Sequence, residues 1–524
     1  TSFSTQRSFN LFDLDSVEVV RGPQGTLYGE GAMGGAIRYK STMPVLDEFQ
    51  AKVGLTIDST ENGDGLNRRV DATVNIPLIT DQLGLRVTGF TQRDAGYIDF
   101  TGARTGDVAG SVLDGIPREG ANEYSAQGVR AIISAKPTDN LSAKISLTYE
   151  KSDADTESVV SKGASDLTNT DYFNLSPQED DVLVVSARLD YSTDHGTFSS
   201  ITGFVDRERF DGGQQGGISF AFFTPSINSF RFDEESWSQE FRFVSNLDGP
   251  FNFLSGLYYK SAETVSDIVL NSGLEPSLGT ILDEDEFYDA EQIAVFGEAS
   301  YDLAETLTAT LGLRYFKEEV DSTQHWFQPD FLFSGFPESF FEDKLVVEEV
   351  LPKVLLEYTP SEHILLYGTA SKGARNGGLN ATSTISIVEA LGGSLPRVYS
   401  QDTAWSYELG AKTQWLDQRL TANFSAFYID WSDLQATALD ASIGVAIGFI
   451  QNVGDAVSKG FELELEYNAN DHVSFFFAGN LTKAELTDEF VVGVGANSAS
   501  DARIPFTPDF TISTGVDVNY PLSQ

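Results

Sequence analysis

The sequence predicts an all-β protein whose bulk is one large antiparallel transmembrane β-barrel. Three observations carry this. From about residue 50 onward, segments of about ten residues alternate apolar and polar, and a period of two is that of a strand. The connections alternate between short turns and long acidic loops, the layout of an outer-membrane barrel. The 38 Phe, 19 Tyr and 47 Gly set against 17 Pro also suit a β protein with aromatic girdles.

The first 48 residues do not follow this rhythm. They are dense in glycine, at Gly22, Gly25, Gly29, Gly31, Gly34 and Gly35. Gly29-Glu-Gly31-Ala-Met-Gly34 fits the dinucleotide pattern G-x-G-x-x-G, with Asp47 at a compatible spacing. That pattern binds a nucleotide only where it opens a helix. Here Gly35-Ala-Ile-Arg-Tyr-Lys-Ser-Thr-Met-Pro44 reads as a short strand, so tight turns in a compact β element are expected instead.

The barrel strands are read from their faces. Leu141, Ala143, Ile145, Leu147 and Tyr149 share one face, and Ser142, Lys144, Ser146, Thr148 and Glu150 the other. The stretches 306–315, 420–428 and 460–467 repeat the pattern. A soluble sandwich uses strands of about 5–6 residues, whereas a bilayer requires about 9–11 with the apolar face outward. Lys144, Arg314, Glu462 and Glu464 on the polar faces suit a wet lumen, not a dry core. Strand starts are placed near residues 51, 69, 83, 127, 141, 182, 197, 237, 251, 292, 306, 346, 362, 403, 418, 457, 472 and 507. Short turns fall at 136–140, 246–250, 359–362, 416–418 and 468–471. Long loops fall at 93–126, 151–181, 208–236, 261–291, 319–345, 372–402 and 430–456.

Charge and chemistry narrow the function. The 34 Lys and Arg against 78 Asp and Glu give a net −44, which argues against nucleic acid as a partner. With no Cys there is no disulfide, thiolate site or Cys nucleophile. His195, His325, His363 and His472 lie in unrelated segments, so no haem site, no other cofactor and no metal centre is expected. Asp283-Glu-Asp-Glu286 offers oxygen ligands to Ca²⁺, but reads better as a solvated acidic run. No nucleophile–base motif is present, so an enzyme is not expected.

The run from Asp15 to Ile37, DSVEVVRGPQGTLYGEGAMGGAI, resembles the plug signature of TonB-dependent outer-membrane receptors, in which Arg-Asn stands where Glu30-Gly31 stands here. Tyr367 to Gly378, Tyr407-Glu-Leu-Gly-Ala-Lys412 and Asn452 to Glu462 resemble barrel stretches of the same family, with Ala374 and Asn376 as departures. The resemblance implies a 22-stranded barrel filled by an N-terminal plug. On that basis residues 1–48 are expected to be the C-terminal part of the plug, and residues 49–524 a barrel showing about 18 strands, with about four more beyond Gln524. The chain is expected to be a fragment, with the TonB box upstream of Thr1. The resemblance further implies import of a scarce solute, first a ferric siderophore, across the outer membrane of a Gram-negative bacterium. Energy would come from TonB and its inner-membrane complex, and outer-membrane lipid would surround the barrel. A carbohydrate, cobalamin or another organic nutrient is the alternative cargo. A passive channel is the rival of another class, and would have no need of residues 1–48.

The plug motif and the lock follow from the same resemblance, the solute contacts from the aromatic content of the long loops. Arg21, Gly22, Pro23, Gly25, Tyr28, Gly29, Gly34 and Gly35 form the plug motif. Arg21 is expected to lock onto Glu408 or Glu462 of the barrel wall through a charge-assisted bond. Phe222, Phe223, Trp326, Phe327 and Phe331 in two aromatic-rich stretches, with Arg375, are the candidate solute contacts.

Overall fold

In a computed structural model of the chain, residues 10–100, 117–156, 168–169, 176–214, 226–272, 280–328, 335, 337–440, 447–488, 490–491, 497–498 and 502–520 are described. One sheet of 18 strands curls into a barrel. Each strand is antiparallel to the next along the chain, from Gln50–Asp58, Asn67–Ile79 and Leu83–Asp94 onward. The expected short turns join strand pairs, as between Thr138 and Leu141 or between Trp415 and Leu420. The first strand and the last, Phe510–Val518, are neighbours in the cyclic order. No register joins them among the described residues, and both are exposed along nearly their whole length.

The outer face is apolar because its solvent is hydrocarbon. On Leu307–Trp326, Leu311, Leu313 and Tyr315 are exposed while Gly312, Arg314 and Phe316 are buried inward. Ile145, Leu147, Phe424 and Leu463 are likewise exposed; Leu141, Leu420 and Leu465 are partly covered. Tyr407 and Trp415 bracket Leu409, which is 69% exposed. At about 3.3 Å per residue on a tilted strand, that bracket spans about 20 Å, close to the apolar height of an outer-membrane barrel.

The strands run longer than expected, to 25 residues in Thr280–Ala304. Of the 31 residues of the expected 261–291 loop, 24 belong to the hairpin of Phe251–Ser272 with Thr280–Ala304. Above the apolar band the outward face turns acidic. Glu235 stands opposite Glu263, Glu263 opposite Asp289, and Asp289 opposite Asp321. Both faces are wet there, so the apolar–polar alternation that marks a strand is lost. The same alternation splits the 283–286 run. Asp283 and Asp285 share the outward parity of exposed Phe287, whereas Glu284 and Glu286 are buried inward. The four carboxylates therefore cannot converge on one cation.

Inside the barrel lies a small sheet, Leu14–Arg21 paired with Gly35–Ser41, with the one-turn helix Gly25–Tyr28 between them. Residues 42–49 lead outward along the wall. Asn75, fully buried, accepts from the Val45 N–H at 2.9 Å and donates to the carbonyls of Val45 and Glu48 at 2.9 and 2.8 Å.

Candidate functional site

The N-terminal segment is moored to the inner wall at two places, on strands five apart in the cyclic order. On one wall Arg21 straddles two carboxylates, with Nη1 donating to Glu462 and Nη2 to Glu464. These lie two apart on the strand Ala456–Asn470 and so share its inward face. Arg21 reaches them because it ends its strand, opposite Gly35 in the register, and the chain turns away at Gly22. Glu408 takes no part: it accepts from the Tyr367 hydroxyl. Inward parity alone admits Glu408, Glu462 and Glu464, and it is the depth of Arg21 in the lumen that selects the latter two.

The Arg21 side chain is 53% exposed and that of Glu464 39%, so water screens the pair. Such pairs contribute about 0.2–1 kcal/mol, less than a desolvated lock would. We expect Arg21→Ala to change resting plug retention by about 1 kcal/mol or less, measured as amide exchange in the Leu14–Arg21 strand. A loss of protection beyond about hundredfold would mean the pair is drier than described.

A second stretch of the wall holds a mooring that sequence reasoning missed. Arg86 donates through Nε and Nη2 to Asp13 at 2.7 and 2.5 Å, and Thr88 adds a bond at 2.8 Å. Here the side chains are only 9% and 12% exposed. Beside them Phe12 packs at a tilt on Phe90, ring centres 4.8 Å apart, and the Arg130 guanidinium lies 4.3 Å over the Phe12 ring while donating to the Phe12 carbonyl. Asn10 donates to Glu150 and to the Tyr124 hydroxyl. The available signal was the inward parity of Gly84, Arg86 and Thr88, a cation set among small residues where a docked anion fits.

Between the moorings the glycine-rich turn packs directly on the wall. Gly29 has φ +85°, and a Cβ there would meet the Arg314 guanidinium at 3.2 Å. Thr26 donates to the Leu351 carbonyl and the Gly31 N–H to that of Ala374. Pro23 is buried near Gly373, and Tyr28 is exposed, with its hydroxyl accepting from Arg38. Gly22 and Gly35 have positive φ, and Gly34 faces open space. A Cβ on Gly25 would lie 2.7 Å from Leu351 Cδ1 and 3.3 Å from the Lys372 carbonyl. Gly25→Val is therefore expected to cost about 1–3 kcal/mol by overpacking, read as earlier protease cleavage of the segment in outer-membrane vesicles. Unchanged cleavage would mean that the turn is not seated on Leu351.

The expected solute contacts do not form one surface. Phe222, Phe223 and Phe331 lie outside the described residues. Trp326 is fully buried inward with Leu270, Ile387 and Val388. Phe327 packs on His325, ring centres 3.9 Å apart. Arg375 is held by Asp402 and the Gln435 carbonyl beside Trp431. Further inside, the wall carries Tyr258, Gln292, Glu318 and Asn376. Gln292 donates to Glu318 at 2.8 Å and Asn376 to the same carboxylate at 2.6 Å. The side-chain oxygens of Gln292 and Asn376 are buried and have no hydrogen-bond partner among the described residues.

Residues 133–524 match the family model for the TonB dependent receptor-like β-barrel, and residues 1–36 the TonB-dependent receptor plug domain. The chain belongs to the TonB-dependent receptor family. The pesticin receptor of Yersinia enterocolitica is 24% identical over 98% of this receptor and 69% of its own length. A probable TonB-dependent siderophore receptor, PirA, of Acinetobacter baumannii is 31% identical over 22% of this chain and 14% of its own. Among solved structures, the ferric yersiniabactin uptake receptor FyuA from Yersinia pestis has a TM-score of 0.75 at 18% identity, covering 97% of this chain and 71% of that one. The copper transporter OprC has a TM-score of 0.70 at 14% identity, covering 97% and 73%. These likenesses establish the fold, a plug inside a barrel. The family consists of transport receptors energised by TonB.

Proposed function

We propose that this receptor imports a ferric siderophore across the outer membrane of a Gram-negative bacterium, driven by TonB and its inner-membrane energising complex. The observation that carries the transport reading is the plug itself. It obstructs the lumen and is held at Arg21 by ion pairs that water screens. A contact of about 1 kcal/mol holds at rest and yields to pulling. A passive channel gains nothing from such an obstruction. The siderophore reading is supported by FyuA, named for ferric yersiniabactin uptake, of whose length the chain covers 71%. Iron chelates carry carbonyl, phenolate or hydroxamate oxygens around an apolar frame. Tyr258, Gln292 and Asn376 offer an aromatic face and amides for such groups.

The test is growth. In a strain lacking its own siderophore receptors, the full receptor should restore growth on iron-limited medium for one class of ferric chelate in a panel. Restoration by cobalamin or an oligosaccharide, with no chelate effective, would replace the siderophore by that nutrient and leave the transport reading standing.

A further inference from the structure

The sequence leaves the pattern of its family at Glu30-Gly31 in the plug, where the pattern has Arg-Asn, and at Ala374 and Asn376 in the barrel. These positions lie far apart in the chain, and the fold brings them together. The Gly31 N–H donates to the Ala374 carbonyl at 2.9 Å. Asn376, two residues on, donates to Glu318 at 2.6 Å. Glu30 follows Gly29, which is seated on Arg314, and it acts electrostatically on Glu318 and on the Tyr258 hydroxyl. The meeting place faces the long connections, the side from which a solute enters. Glu318 lies four residues beyond Arg314 on the strand Leu307–Trp326, which starts at a short turn. Gln292 lies as far beyond Phe296 on the neighbouring strand.

The place is short of hydrogen-bond donors. An ionised carboxylate only accepts, so Glu318 takes an amide N–H from both Gln292 and Asn376 and fixes which way each amide faces. Their oxygens are turned away from it and are left without a donor among the described residues, although Gln292 is only 2% exposed. Ser322, two inward positions further up, is buried without a partner there as well. Cations do not make up the deficit. Arg242 is paired with Glu240, Lys353 with Glu298, Lys372 with Glu349 and Arg375 with Asp402. Arg314 is buried beneath the turn, its guanidinium 5.3 and 5.5 Å from the Phe296 and Tyr258 rings. Lys260, opposite Gln292 in the register, is the remaining inward cation among the described residues of these strands, and it acts on Glu318. Glu30, Glu318 and Lys260 together carry one net negative charge towards the lumen. The arginine of the family pattern at position 30 would make that one net positive charge.

We propose that Glu30 sets the charge of the cargo: the receptor takes a ferric chelate that is neutral or cationic and brings N–H or ammonium donors to Glu30 and Glu318, and it discriminates against a strongly anionic one. This rests on the siderophore reading above and narrows it. A chelate rich in donors supplies what the wall lacks, and so offsets the water that both carboxylates lose when it binds. An anionic chelate sets its charge against Glu30 and Glu318 where the surroundings are partly dry, and like charges repel most strongly there. Discrimination then comes from a repulsive element as much as from an attractive one. The net −44 of the chain acts in the same direction from further away. Salt screens that field beyond about 8 Å, whereas Glu30 and Glu318 act at contact.

The test uses cells that produce the full receptor and lack their own siderophore receptors. The ferric chelate that restores their growth is prepared with one arm ending in a free amine, an acetylated amine or a succinylated amine, a series of falling charge. Surface binding is measured without TonB, which separates recognition from plug release, and uptake with it. The amine and acetyl forms should bind about tenfold better than the succinyl form. Glu30→Gln, nearly isosteric, should lower that ratio severalfold, and Glu30→Arg should invert the preference. Glu263→Gln removes one carboxylate from the exposed outer face and should leave the ratio unchanged. Equal binding of the whole series, a ratio untouched by Glu30→Gln, or an equal shift in Glu263→Gln overturns the proposal. Growth restored only by a tris-catecholate, which is strongly anionic, overturns it too and leaves the siderophore reading standing. Growth restored by no ferric chelate removes the siderophore reading itself, and this inference with it.

Discussion

Asp13→Asn is expected to loosen the plug more than any other single change at the barrel wall. The substitution removes the carboxylate paired with Arg86 in a mooring that is about nine-tenths buried. The amide cannot accept both guanidinium bonds and the Thr88 hydroxyl bond as the carboxylate does. Breaking a buried pair by removing one partner costs about 3–5 kcal/mol. Water in the lumen sets the effect at the lower end, about 3 kcal/mol. Amide exchange of Leu14–Arg21 should accelerate roughly hundredfold, since each 1.4 kcal/mol is about a factor of ten. Arg21→Ala should move it by about tenfold at most. The reverse order would place the main mooring at Glu462 and Glu464.

The second large effect lies on the lipid face. Leu463 is exposed outward on Ala456–Asn470, between the inward Glu462 and Glu464. An Arg at mid-bilayer on this face costs about 2–4 kcal/mol, so Leu463→Arg should lower the yield of folded barrel inserted into vesicles and its denaturant midpoint. Leu463→Phe should leave both near wild type. If Leu463→Arg folded as well as wild type, Leu463 would not face hydrocarbon and the strand would be out of register by one.

The barrel was legible because a bilayer forces every strand to repeat one pattern. Each strand start placed from the sequence lies within a dozen residues of an observed one, and most within three, the largest offsets falling at Ser226, Thr280 and Ser339. At those starts the strand stands above the membrane and apolar and polar residues mix on both faces, so periodicity has nothing to report. The plug wall was legible only in part. Parity along 456–470 turns Glu462 inward, but parity along one strand carries no information on depth across strands. Hence Glu408 and Glu464 were exchanged. The Asp13–Arg86 mooring pairs residues 73 apart, neither within a motif, and it emerges only when the segment is docked. Trp326 and Arg375 stand out in the sequence for their chemistry. The fold spends both on structure, under the Thr382–Ala390 helix and against Asp402.

The central claim, energised import through a plugged barrel, is tested most directly by accumulation of radiolabelled iron. Cells producing the full receptor are supplied with the ferric chelate that restores their growth, with TonB present or deleted and with or without a proton ionophore. The account predicts unchanged binding of the chelate at the cell surface in all cases, and accumulation only where TonB and the proton gradient are both intact. Accumulation that persists without TonB would contradict it and make the barrel a passive channel.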